Sequence, residues 1–297
     1  MSKTSMSKSE IKQTDPEKWD MIIGPQRNLF DLRLSELWHA RDLIMLFVRR
    51  DFVAGYKQTI LGPLWYLIQP LLTTIVFTVI FGNIAKLPTD GLPPFLFYMC
   101  GTVIFSYFAT SLTKTSDTFV SNAGMFGKVY FSRLAVPVSI LISNLITFVI
   151  QFGFFLAFLG YFALRGTPVH SSWWVLLTPV LLLMMAGLGL GFGIIVSSMT
   201  TKYRDLRFLV QFGVQLLQYV SPVIYPLSFL ATKSPKLLAL IRLNPLTSVL
   251  EAFRYAFLGS GSVDLLQLGY SFTIMLIAIV VGAVIFNRVE ATFMDTV

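Results

Sequence analysis

Residues 56–70, YKQTILGPLWYLIQP, divide the chain into two unlike parts. Upstream lie mostly polar residues with the paired Arg49 and Arg50; downstream begins the first long charge-free stretch, Leu64 to Ala85. Lys57 is the last charge before that stretch, and Gly62-Pro63 ends one helix and starts another, since proline fixes φ and suits a first helical turn. Trp65 and Tyr66 follow where amphipathic rings settle at headgroup level. The junction therefore reads as the point where the chain leaves water and enters a bilayer.

Composition agrees. Of 297 residues, 55% are hydrophobic and 13% charged, with mean hydropathy +0.71; a soluble domain carries about 25% charged residues. Cys100 is the single cysteine and sits in an apolar run, which excludes an intrachain disulfide framework and a cysteine metal site. His39 and His170 are far apart and read as interfacial polar residues. Residues 1–28 are rich in Ser, Lys, Thr and Asp without an apolar run, so they read as a cytoplasmic tail, and the first membrane helix serves as the insertion signal. Over 29–57, Leu34, Leu37, Trp38, Leu43, Leu46, Phe47 and Val53 alternate at helical spacing with Arg41, Asp42, Arg49, Arg50 and Asp51, with Ser35 as a plausible cap. Such a helix lies in the interface plane against anionic headgroups, or packs on a protein partner, or both.

Beyond the junction, residues 60–290 form one transmembrane domain. Each charge-free stretch has room for one helix of about 20 residues. Six spans follow, near 64–85, 92–113, 134–164, 172–199, 208–230 and 265–287. The fold class is an all-α membrane protein. With the N-terminus inside, seventeen of the 23 Lys and Arg fall on the cytoplasmic side and six outside, which places both termini in the cytoplasm. The net charge of +8 is thus a topology signal, and nucleic acid drops out as a partner. Ser221-Pro222 and Tyr225-Pro226 interrupt the fifth span, and Asn244-Pro245 separates two short apolar pieces within the outer segment 231–261. That pattern reads as re-entrant helices that cap or gate something wet, because irregular backbone at membrane depth needs protein or water around it.

No charged residue or histidine lies inside the six expected spans, which argues against a proton relay, a cation site or a metal-dependent enzyme. The polar groups are neutral: Gln211, Gln215 and Gln218 share one face of the fifth span, and Gln69 and Thr73 extend a face beginning at Trp65 and Tyr66. These serve either as interhelical hydrogen-bond partners or as a pore lining for hydroxyl-rich cargo, with Tyr219 and Tyr225 as further candidates to stack on sugar rings. Asn144 and Gln151 read as interhelical partners. Gly187, Gly189, Gly191 and Gly193 form two interleaved GxxxG pairs for close helix packing. The one Gly-Lys pair, Gly127-Lys128, lacks the rest of a phosphate-binding loop, so any ATP and magnesium belong to another polypeptide and this chain holds no cofactor of its own.

Taken together, Arg49-Arg50-Asp51-Phe52, Tyr56-Lys57-Gln58-Thr59, Leu61-Gly62-Pro63-Leu64-Trp65 with Pro70, Asn122, Lys128, Arg133, Pro137, Tyr203-Arg204-Asp205-Leu206, Ser221-Pro222-Val223, Pro226 and Asn244-Pro245-Leu246 resemble the membrane subunit of ABC-2 type exporters. The resemblance is to the polysaccharide permeases of O-antigen, capsule and teichoic-acid systems, and it runs from about Leu29 to the C-terminus. Ser132 departs from it, where relatives often carry proline; the long tail is nearer the O-antigen type. The resemblance implies a homodimeric inner-membrane permease with one ATPase subunit under each protomer and a cargo linked to undecaprenyl diphosphate. It implies a channel lined by the first and fifth spans, coupling through Asn122, Lys128, Arg133, Tyr203, Arg204 and Asp205, and gating around Pro222, Pro226, Asn244 and Pro245. Arg49, Arg50 and Lys57 then become candidates for the cargo's diphosphate, against plain lipid anchoring. An exporter of drugs or small lipids is the alternative within the superfamily. A membrane-embedded glycosyl- or phosphoglycosyl-transferase is the alternative outside it, with Asp90, Asp117, Asp205, Glu251 and Asp264 as its few carboxylates.

Overall fold

The structure, a computed structural model, describes residues 34–57, 60–126, 131–167, 169–203 and 205–293. The tail over 1–28 lies outside them. The described elements are helices, with no strand among the described residues.

The surface segment is two pieces rather than one: α1 (Leu34–His39) and α2 (Arg41–Tyr56) meet at Ala40, which is the N-cap of α2. Ser35 therefore lies within α1 rather than at a cap. Ile44 and Val48 of α2 are buried, and their cluster takes in Ala135, Val138 and Ile142. The chain itself thus covers part of the apolar face of this segment, while Trp38, Leu46, Arg49 and Arg50 stay exposed.

Among the described residues, five helical stretches are long and apolar enough to cross a membrane: Trp65–Ile84, Pro94–Ser116, Ala135–Leu164, Trp173–Thr200 and Leu265–Val289. They comprise α3 (Trp65–Phe77, continued by a π-helical turn over Thr78–Ile84), α4 (Pro94–Ser116), α6 (Ala135–Leu164), α7 (Thr178–Thr200, entered through a 3-10 turn) and α12 (Leu265–Phe293). A short helix, α5 (Thr118–Phe126), fills the loop after α4.

The fifth expected span is different. Helix α8 covers only Leu206–Val220, 15 residues. At 1.5 Å per residue it reaches about 22 Å, short of a hydrocarbon core of about 30 Å. Pro222 sets the limit, because proline lacks the N–H of a helical bond and pushes the residue before it to extended backbone. Ser221 indeed has ψ 153°. Short helices follow as α9 (Leu227–Lys233), α10 (Pro235–Arg242) and α11 (Pro245–Leu258). Proline opens α10 and α11, Asn244 caps α11 by accepting from the Leu246 N–H, and Gly259 closes it at φ +72°. Helix α11 is buried along nearly its whole length against α4, α7 and α12, so this part of the expected gate segment belongs to the core.

Helix α7 is the centre of that core, and its glycines explain how. A Cβ on Gly189 or Gly193 would meet Ser111 or Thr115 of α4 at 2.9 and 2.6 Å. One on Gly187 or Gly191 would meet Met275 or Ala278 of α12 at 2.5 and 2.7 Å. The interleaved glycine pairs let one helix be approached closely on two sides.

Candidate functional site

Between α3, α4, α6 and α8 lies a cavity of about 510 Å³. Trp65, Tyr66, Gln69 and Thr73 enter it from α3, and Gln211, Gln215 and Gln218 from α8. Seven of the nine residues picked as channel lining therefore share one wall system. Tyr219 and Tyr225 do not line it. The Tyr219 ring stands 6.4 Å from Phe77, and the Tyr225 hydroxyl donates to the Val220 carbonyl at 2.5 Å, closing the frayed end of α8.

Asn144 and Gln151 of α6 also line the cavity while bonding to other helices. Gln151 has a specific reason. Pro70 has no N–H, so the Tyr66 carbonyl one turn earlier loses its helical partner; the Gln151 amide donates to that carbonyl at 3.0 Å. Asn144 donates to Ser111 Oγ at 3.3 Å and accepts from Lys114 Nζ at 3.1 Å. Lys114 follows the second expected span in the sequence, yet it belongs to the last turn of α4 and reaches the cavity.

Arg49, Arg50 and Lys57 share a shallow groove on α2 with Leu46, Val53 and Ala54. Arg50 is partly committed: its Nη2 lies 2.8 Å from Asp51 Oδ1, and its guanidinium sits 4.8 Å from the centre of the Phe47 ring. Phe52 stacks on Tyr66 at 5.9 Å, joining this groove's helix to the cavity wall.

Of the residues expected to couple to an ATPase, Lys128 and Arg204 lie outside the described residues. Asn122 donates to the Thr118 carbonyl of its own helix, Arg133 is buried over the Phe126 ring, and Tyr203 and Asp205 are exposed. Sequence reading missed the contact that joins the loop after α4 to the start of α8. Arg207, in the first turn of α8, meets Asp117 at 2.6 Å, while Thr200 Oγ1 donates to the Ser116 carbonyl. Ninety residues separate Asp117 from Arg207, so no local pattern announces the pair.

On the opposite side, the four gate candidates meet at the break after α8. Pro222 and Pro226 are buried, Asn244 Nδ2 donates to Ser221 Oγ at 2.9 Å, and Pro245 opens α11. Arg254 falls in the expected outer segment 231–261, where the sequence alone makes it a loop cation. It is instead 1% exposed, bonded to Glu251 at 2.6 Å and to the Pro222 carbonyl at 2.5 Å, with its guanidinium 4.0 Å from the Phe97 ring centre. Burial pushes the Glu251 carboxyl up from the usual range, and Arg254 opposes that shift. Other carboxylates considered for transferase chemistry are also engaged structurally. Asp90 accepts from Ser228 and Ser260, and Asp264 accepts from the Leu266 and Gln267 N–H groups. No metal-holding cluster occurs among the described residues.

The family described as "ABC-2 type transporter" matches residues 42–258. Two proteins named "O-antigen export system permease protein RfbA" from Klebsiella pneumoniae are 26% and 27% identical over 254 residues, covering 86% of this chain and 94% of each relative. A protein of the same name from Myxococcus xanthus is 28% identical over 225 residues, 75% of this chain and 83% of its own length.

Proposed function

The chain belongs to the ABC-2 type transporter family, and on that premise we propose that it is the permease subunit of an ATP-driven polysaccharide exporter of the O-antigen type. It is a multi-pass membrane transport protein; its cargo, carrier and assembly are our reading. The observation that carries the reading is similarity to three O-antigen export permeases over most of the chain. The amide-lined cavity supports it: six Gln and Asn side chains offer donors and acceptors to sugar hydroxyls, and Trp65 and Tyr66 offer ring faces.

In this reading the cargo is a glycan carried on undecaprenyl diphosphate, moved across the cytoplasmic membrane by a homodimer with both termini inside. Arg49, Arg50 and Lys57 receive the diphosphate at the inner headgroups, where guanidinium pairs with phosphate bidentately. Two partner ATPase subunits bind ATP and magnesium and push on the inner loops, where Asp117 and Arg207 tie the α4–α5 junction to α8. A stroke delivered there acts on the helix that carries Gln211, Gln215 and Gln218. The segment around Pro222, Pro226, Asn244 and Pro245 gates the outer side.

Two measurements test the reading. Purification in mild detergent with mass spectrometry should recover a stoichiometric partner carrying a Walker A motif, and loss of the chain should leave lipid-linked glycan inside the cell. Recovery of a lone chain in complexes without ATPase activity would overturn it.

A further inference from the structure

Lys114 is the one charged side chain among the described residues lining the cavity. Its neighbours there are neutral amides, hydroxyls and rings, and no carboxylate takes part. The ammonium makes one hydrogen bond, to Asn144 Oδ1 at 3.1 Å. Asn144 is itself fixed by donating to Ser111 Oγ, so its oxygen holds Nζ in place. An ammonium has three donors, and an amide oxygen supplies no countercharge. Asp51 does not line the cavity, and its carboxylate is bonded to Arg50 at 2.8 Å. A cation drawn away from bulk water needs an opposite charge to offset its lost hydration.

We propose that Lys114 makes the cavity an anion-selecting sugar site, taking a phosphate or carboxylate group borne on the carried glycan while the surrounding amides hold hydroxyls. A compact ammonium binds phosphate as a point charge and tolerates many ring geometries, which suits a moving chain. This rests on the export reading but is separable from it. Phosphate on an anionic lipid headgroup has the same chemistry, so the test must distinguish the two sources.

The experiment is equilibrium dialysis of radiolabelled glucose 1-phosphate, glucose and dihexanoylphosphatidylglycerol against the complete transporter, with its ATPase partner, in phosphatidylcholine nanodiscs. Wild type and K114R should retain glucose 1-phosphate about tenfold better than glucose, and K114Q should lose that preference. A second variant, T110E, leaves the lysine in place and sets a carboxylate four residues earlier on the same helix, where it pairs with Lys114; it should lose the preference as well. Equal retention of glucose 1-phosphate by wild type, K114Q and T110E overturns the inference. So does a Lys114-dependent retention confined to phosphatidylglycerol, which would mark a lipid headgroup site. Glycan export by the wild-type complex in cells is scored separately: failed export with intact Lys114-dependent binding removes the export reading and leaves the anion site.

Discussion

Helices α4 and α3 are neighbours in sequence and in space, yet they are built for different work. In the apolar stretch of α4, 78% of residues are buried; in that of α3, 11% are. Helix α4 is locked to α7, which is locked to α12, through glycine contacts with no slack. On the other side, α3 and α8 touch this block mainly along the cavity, and α8 has no buried residue at all. Helix α3 also carries Pro70 and ends in a π-helical turn, while α8 stops after 15 residues. The molecule is thus a rigid block beside a wall made of interrupted helices. The difference teaches that the cavity forms where helices are interrupted and neutral side chains stand in for missing helical bonds.

The largest effect should come from breaking the clasp where block and wall meet. Arg254→Met takes the ionic partner from buried Glu251 and frees the Pro222 carbonyl, at a cost of about 3–5 kcal/mol. Thermal unfolding of the purified complex should show it, and R254M combined with Glu251→Gln should recover much of the loss. Next comes Gly191→Val within the block. Its Cβ meets backbone of Ala278, which cannot yield, so about 1–3 kcal/mol is lost and assembled protein declines in gel filtration.

Substitutions in the wall should separate stability from transport. Leucine at Gln211, Gln215 and Gln218 together should lower glycan export about tenfold, the equivalent of one or two hydrogen bonds to cargo, with the melting temperature held. If melting falls as it does for Gly191→Val, the wall is no different from the block. The smallest stability change is expected for Asp117→Asn. Its bond to Arg207 is about one-third exposed, so screening leaves under about 1 kcal/mol. ATP hydrolysis should persist while glycan export per ATP drops.

Much of this contrast was legible in the chain itself. Charge-free runs located the long helices because a bilayer tolerates little else. The glycine spacing announced the packing of α7, and Gln211, Gln215 and Gln218 announced the cavity-facing side of α8 through helical periodicity. What stayed hidden depends on partners distant in sequence. Gln151 looked like a generic polar contact until Pro70 explained its target. Arg254 looked like a surface cation because its counterion, its carbonyl acceptor and its ring partner come from three different places in the fold. Lys114 looked like a loop residue because α4 runs on for a turn after its apolar face ends. Tyr225 looked available for sugars because only the geometry shows its hydroxyl turned back on Val220.

The spacing of Glu251 and Arg254 has a consequence for how the chain is made. The two are three residues apart on one helix, so they can neutralise each other as soon as a single turn has formed. Segment 245–258 can therefore enter the apolar surroundings of α4 and α7 as an electrically neutral unit. The guanidinium also reaches the Pro222 carbonyl on the segment made earlier. The pair makes the burial of two charges a local matter of one helix.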